Sequence, residues 1–303
     1  MQAKLLTDPI GPTLARLAAP NIVAMFIMLA TSMAEAFYIG QLGIAPLAGL
    51  ALAFPMIMLT MMMAGGSFGG AIAGAVAQQL GAGNREGAES VALHSFILTI
   101  CFSLIFSWLF LTFGTDLYTA LGGQDDILKE ALAYSDIFFS GCIAIWIANG
   151  LNAVIRGTGQ MNMAALPMAL ASLTQILVSG LLVFGVGPFP ALGMAGAALG
   201  NVVGFTVASF LQFWFLVRIS PSLRLRFHGI PIKLSALLDI LKVGSIASLS
   251  PLSSVVTVII VTAMMARLGI DVLAGYGIGA RLEFLMIPLI FGIGSASITM
   301  VGA

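Results

Sequence analysis

Leu42-Gly43-Ile44-Ala45-Pro46-Leu47-Ala48-Gly49 returns later in the chain as Leu268-Gly269-Ile270-Asp271-Val272-Leu273-Ala274-Gly275, with six of the eight positions identical. Leu59 with Leu285 and Gly66 with Gly292 keep the same offset. In a chain so rich in Leu, Ala and Gly, identity alone is weak. The weight lies in the setting, because each copy occupies a short turn between two long apolar stretches. An even number of such stretches separates the copies, so both keep one membrane orientation, as parallel transporter repeats do. The seventh and eighth stretches therefore restart the first and second.

Those stretches are the dominant feature of the 303 residues, 60% of which are hydrophobic and 8% charged, against about a quarter charged in a soluble domain. Runs of roughly 20 apolar residues match the length of a helix crossing a ~30 Å hydrocarbon core. The fold class is an all-α polytopic membrane protein. Eight helices are expected at about 14–38, 46–77, 90–113, 131–155, 164–184, 194–217, 240–266 and 273–303, separated by Gly- and Pro-rich turns. They divide into a six-helix lobe with its connecting loop, 1–235, and the first two helices of a second lobe, 236–303. The final apolar run closes without a polar flank, so the chain is expected to be truncated within that second lobe.

Twelve basic and twelve acidic residues cancel, which leaves no positive field for nucleic acid. Lys4, Arg16, Arg85, Arg156, Arg218, Arg224, Arg226, Lys233 and Lys242 belong to the amino terminus and the even loops, and only Lys129 and Arg267 to the odd ones. Basic loops stay inside, which places the amino terminus in the cytoplasm. Ala34-Glu35-Ala36 has the form of a leader cleavage site, but its upstream region carries Pro9, Pro12 and Pro20 and the apolar run continues beyond it. It reads as a retained first span. Cys101 and Cys142 lie in apolar runs without metal-ligand spacing and read as core residues.

ATP-driven chemistry has no phosphate-cradling loop to use. Gly65-Gly66-Ser67-Phe68-Gly69 matches the G-x-S-x-G hydrolase elbow in letters only, since it lies within a helix. His94, near a helix end, reads as interfacial. The chain is not read as an enzyme. Gly65, Gly66, Gly69, Gly70, Ala73 and Gly74 form small-xxx-small patterns that let helices approach closely. Prolines 20, 55, 167, 251 and 288 permit bends.

Buried acids are the informative residues, because charge in the bilayer is costly and faces an interior site. Glu35 is the leading candidate, with Asn21, Met28, Thr31 and Ser32 on its face; an interfacial glutamate reaching water is the alternative. Asp136 reads as a rim residue. Arg281 and Glu283 cannot pair at i, i+2 and need partners elsewhere. Met56, Met58, Met61, Met62 and Met63 crowd the second helix; flexible thioethers suit an adaptable apolar pocket, while any single one of them reads first as a lipid-facing or packing residue. Asn21, Met28, Thr31, Met61 and Asn149 are the candidate cavity residues.

Three segments, Ala34-Glu35-Ala36-Phe37-Tyr38-Ile39-Gly40-Gln41-Leu42-Gly43 with Leu47-Ala48-Gly49, Ala77-Gln78-Gln79-Leu80-Gly81-Ala82-Gly83-Asn84, and Ile155-Arg156-Gly157-Thr158-Gly159-Gln160, occur in order at helix ends. In these the chain resembles the multidrug and toxic compound extrusion (MATE) transporters. The resemblance implies two six-helix lobes, a central cavity open alternately to each side, and export of organic, often cationic, compounds against inward H⁺ or Na⁺. It implies an acid in the outer half of helix one, matched by Glu35. Where one branch of the family has an Asn and an Asp on helix five and a Thr on helix six, the chain has Gln175, Ser179 and Asn201. With one carboxylate among neutral groups, H⁺ is favoured over Na⁺ as coupling ion, and no other cofactor is expected. The expected partners are a small organic substrate and the lipid bilayer of the cytoplasmic membrane, and the full-length protein is expected to be monomeric. The runner-up is a lipid-linked oligosaccharide flippase, which needs a cationic cavity, and Arg281 is the one basic residue read inside a span. A non-transporting scaffold would tolerate loss of Glu35.

Overall fold

The computed structural model describes residues 10–220, 223–225, 234–283, 290, 293, 294, 296–298 and 301, without the side chains of 10, 16, 21, 25, 234–236 and 280–283. Eight helices appear among them. They are α1 (Ile10–Gly40), α2 (Ile44–Gly81), α3 (Arg85–Ala120), α4 in two halves (α4a, Asp125–Ser140; α4b, Cys142–Gly157), α5 (Met161–Phe184), α6 (Met194–Ile219), α7 (Leu234–Leu268) and α8 (Ile270–Glu283). The first seven start and end near their expected places, and most overrun them; the eighth starts near its place, and much of its expected course beyond Glu283 lies outside the described residues. At about 1.5 Å per residue α3 is about 54 Å long, so its ends leave the hydrocarbon, where intrahelical bonds remain favourable after hydropathy has ceased to mark the helix.

Turn chemistry sets the ends. Asn84 caps α3, its Oδ1 accepting from Gly87 N at 2.9 Å, and Gly185 closes α5 in the left-handed conformation. The two repeat copies adopt one backbone geometry. Gly43 and Gly269 share φ +128°, and Leu47 N and Leu273 N donate to Gly43 O and Gly269 O at 3.4 and 3.1 Å. The copies also meet: Ala48, Ala51, Leu273 and Ala274 form one buried cluster, and Gly277 lacks the Cβ that would collide with Ala51. By the repeat offset Ala48 corresponds to Ala274 and Ala51 to Gly277, so equivalent positions pack together, as a twofold relation requires.

Two departures from the expected helices bear on the interior. The fourth span is one helix in the sequence reading, but α4a and α4b meet at Gly141 with a 53° bend. A side chain at Gly141 would run into Val202 of α6, so the bend and the close α4–α6 approach share one cause. Within α2, Met62–Ser67 forms a π turn, which opens the backbone hydrogen-bond ladder in mid-membrane. An aromatic core joins α2, α3 and α4b: Trp146 stacks on Phe102 at 5.3 Å, with Phe68 and Phe106 against it. The tightest small-residue packing belongs to α6 rather than to the α2 glycines, since Gly196, Gly200 and Gly204 lie directly against Leu182, Ser179 and Ala171 of α5.

Large apolar side chains also face outward: Trp108, Leu177 and Phe210 are 63, 67 and 69% exposed. Exposed apolar surface on this scale is suited to lipid rather than water.

Candidate central cavity

A cavity of about 590 Å³ opens between α1, α2, α4, α5, α6 and α7. Methionines and phenylalanines coat much of it, including Met28, Met58, Met61, Met62, Phe54 and Phe205. Unbranched thioethers can repack around differently shaped guests, so such a wall favours breadth over exact fit.

Glu35 lies on the wall, 7% exposed. Its Oε1 accepts a 2.8 Å hydrogen bond from the Tyr134 hydroxyl on α4a. Tyr134 is itself buried and also lines the cavity. Burial makes a charged carboxylate expensive, and a phenol aimed at it offsets part of that cost. The interfacial alternative for Glu35 therefore gives way to an interior position. Gln175 and Asn201 line the same cavity, and Asn201 Oδ1 is buried with no hydrogen-bond partner among the described residues.

Ser179 is elsewhere. It is 1% exposed, does not line the cavity, and donates to Ala197 O at 3.2 Å across the α5–α6 contact; the missing Cβ of Gly200 makes room for it. Of the expected cavity residues, Met28, Met61 and Asn149 are in the wall. Thr31 is not, because its hydroxyl turns back to Ile27 O at 2.8 Å and the residue is buried in helix packing. The side chain of Asn21 lies outside the described residues, as do those of Arg281 and Glu283. Asp136 is exposed on α4a.

Arg156 is the largest correction. Its place beside Gly157-Thr158-Gly159 suggested a loop, but α4b runs to Gly157. The residue is 3% exposed and lines the cavity. Its Nη2 donates to Gly65 O at 3.2 Å, within the π turn of α2. The α2 glycines thus accommodate polar side chains as well as backbones: a Cβ at Gly65 would sit 2.8 Å from Asn149 Oδ1, and one at Gly69 3.1 Å from Arg156 Nη2. Tyr134, Arg156 and Asn152 are cavity residues that sequence reasoning passed over. The available signal was a lone tyrosine in an apolar run and an arginine flanked by apolar residues on its amino-terminal side. His94 is fully buried, with Nδ1 2.6 Å from Ser90 O, rather than interfacial. Cys142 is core, whereas Cys101 is exposed on the outer surface of the bundle.

A family model described as MatE matches residues 20–166, a stretch that contains Glu35, Tyr134, Asn149 and Arg156. The structure superposes with a TM-score of 0.87 on an outward-facing multidrug resistance MATE family transporter of the MOP superfamily, 26% identical, over 98% of this chain and 65% of that one. In sequence and in fold the chain is similar to MATE family transporters. Other relatives match nearly all of it. An FAD transporter from Shewanella oneidensis is 27% identical over 96% of this chain and 64% of its own length. A probable multidrug resistance protein NorM from Thermotoga maritima is 26% identical over 95% and 62%. A MOP superfamily transporter from Pyrococcus furiosus superposes with a TM-score of 0.86 at 26% identity, over 97% and 64%. The chain thus spans less than two thirds of the length of these relatives.

Proposed function

We propose that this chain forms part of a secondary transporter that exports small organic compounds in exchange for H⁺, with Glu35 as the group that gains and loses the proton. The observation that carries the reading is the Glu35 carboxylate, bonded to Tyr134 inside an adaptable apolar cavity. The names of relatives, multidrug resistance protein and FAD transporter, support organic cargo. A site built of one carboxylate, two side-chain amides and a phenol favours a proton over Na⁺, which takes several oxygen ligands and gains from more than one negative charge. Substrate and proton then act on one equilibrium: the conformer in which Glu35 holds its proton more tightly is favoured when the carboxylate is protonated.

In this reading residues 1–235 are one lobe, 236–303 belong to a second, the amino terminus is cytoplasmic and the working unit is a monomer. A reporter fused near Gln124 should then lie outside and one after Arg226 inside. A scaffold has no use for a carboxylate placed in a cavity. A lipid-linked oligosaccharide flippase calls for several cations around a pyrophosphate, and the described wall supplies one, Arg156.

The test is infrared difference spectroscopy of the chain in nanodiscs between acid and alkaline buffer, with dye efflux by the full-length transporter from vesicles under separate pH and Na⁺ gradients. A protonated-carboxyl band lost in Glu35→Gln, with efflux following only the pH gradient, is the expected result. A band that survives Glu35→Gln, or efflux driven by Na⁺ alone, overturns the proton assignment.

A further inference from the structure

We propose that the cavity tells its organic guests apart by their N–H and O–H groups, which the side-chain oxygens of Asn149 and Asn152 accept. The proposal rests on the export reading in taking the cargo to be organic, and deepens it by naming the feature of the cargo that is read. Both residues line the cavity from α4b, and at i and i+3 they share a helix face. A carboxamide donates at one end and accepts at the other, so a bond made by its nitrogen leaves the oxygen to face elsewhere. Asn149 Nδ2 donates to Ile145 O at 2.8 Å, and Asn152 Nδ2 donates to Ala164 O on α5 at 2.7 Å. Backbone carbonyls therefore orient both amides.

Both oxygens are left for a guest. Among the described residues neither accepts a hydrogen bond, and neither is sealed from the cavity. Asn149 is 9% exposed, so its oxygen stands where an unpaired acceptor is costly. A Cβ at Gly65 would sit 2.8 Å from that oxygen, and the missing side chain keeps it uncovered. Gln175 lines the same cavity from α5 and adds an amide that can turn either end to a guest. The methionine and phenylalanine wall rewards apolar area, and the charge of Glu35 attracts guests of one positive charge alike. The α4b amides add what wall and charge lack, because a guest without donors buries their oxygens unpaired. The matching ligand is an apolar or planar body that carries amino, amide or hydroxyl donors.

Three acridine dyes test the subsite, because they share one fluorescent tricyclic ring and one positive charge and differ in their amino groups. Proflavine carries two primary amines, its bis(methylamino) analogue keeps one N–H at each end, and acridine orange, with two dimethylamino groups, has none there. Binding is measured by fluorescence on the chain in nanodiscs, with empty nanodiscs correcting for dye taken up by lipid. Proflavine should bind about tenfold tighter than acridine orange, with the third dye between them. Apolar area alone gives the opposite order, since an apolar wall rewards each added methyl. Asn149→Leu and Asn152→Leu should each lower the preference about threefold, and the two together should reverse it. The dye series on the unaltered chain reads the same subsite without relying on a variant that folds. Acridine orange binding more tightly than proflavine, or a proflavine preference that survives the double variant, overturns the proposal. Binding of all three dyes without preference overturns this subsite alone, whereas failure of every dye to bind overturns the export reading as well.

Discussion

The two halves of the fourth span use the same cavity in opposite ways. α4a sends a neutral hydroxyl, Tyr134, to an acid on another helix. α4b sends a cation, Arg156, to a backbone carbonyl. On the acid side, the partner is a side chain that can rotate away, so the charge on Glu35 can change without disturbing the helix ladder. On the basic side, the partner is a carbonyl in a π turn, and the permanently charged group is tied to the shape of α2. The halves meet at Gly141, against α6. One end suits a group that switches and the other a group that holds.

Glu35→Gln should break the comparison most completely. Glutamine keeps the shape of the protonated side chain, so folding should persist while proton-driven efflux by the full-length transporter falls by about 100-fold or more, because the ion no longer biases the two conformers. Efflux within twofold of the parent would remove the switching role from the acid end.

Gly157→Ala addresses the other half. A Cβ there would lie 2.7 Å from Ala73 O and 2.7 Å from the Val76 side chain, so α4b must move off α2. Overpacking of this kind costs about 1–3 kcal/mol, to be read as a lowered melting temperature in detergent, together with a weaker preference for proflavine. An unchanged melting temperature would mean that the seat of Arg156 is looser than its contacts indicate.

Tyr134→Phe removes one hydroxyl from a buried carboxylate. A hydrogen bond to a charged group is worth about 1.5–3 kcal/mol, so coupled efflux should fall about tenfold without vanishing, and the preference for proflavine over acridine orange should not change. If that preference falls as well, the two ends are not separable. Ser179→Ala should have the smallest effect, under about 1 kcal/mol of stability and none on efflux, since its hydroxyl serves only the contact to Ala197 O. A loss of coupling in this variant would return Ser179 to the ion site that family resemblance suggests.

Such cases mark the limit of residue-by-residue matching. Gln175 and Asn201 are in the cavity wall, while Ser179, one helical turn from Gln175, is claimed by α6 packing. Thr31 shares a helix face with Glu35, yet its hydroxyl bonds its own helix. A helical wheel gives direction, and what stands in that direction belongs to the neighbouring helix.

By itself, the sequence determined the helical membrane class, the approximate positions of eight helices, the internal repeat and Glu35 as the acid to follow. These are local properties: the length of an apolar run sets a span, glycine sets a turn, and a carboxylate among apolar residues stands out wherever its helix packs. Only the tertiary structure decided that Tyr134 meets Glu35, that Arg156 is an interior cation rather than a loop charge, that α2 carries a π turn and that the fourth span bends at Gly141. The first two depend on groups distant in sequence coming within about 3 Å, and the bend on a glycine that leaves space where another helix packs, which no single stretch of chain encodes.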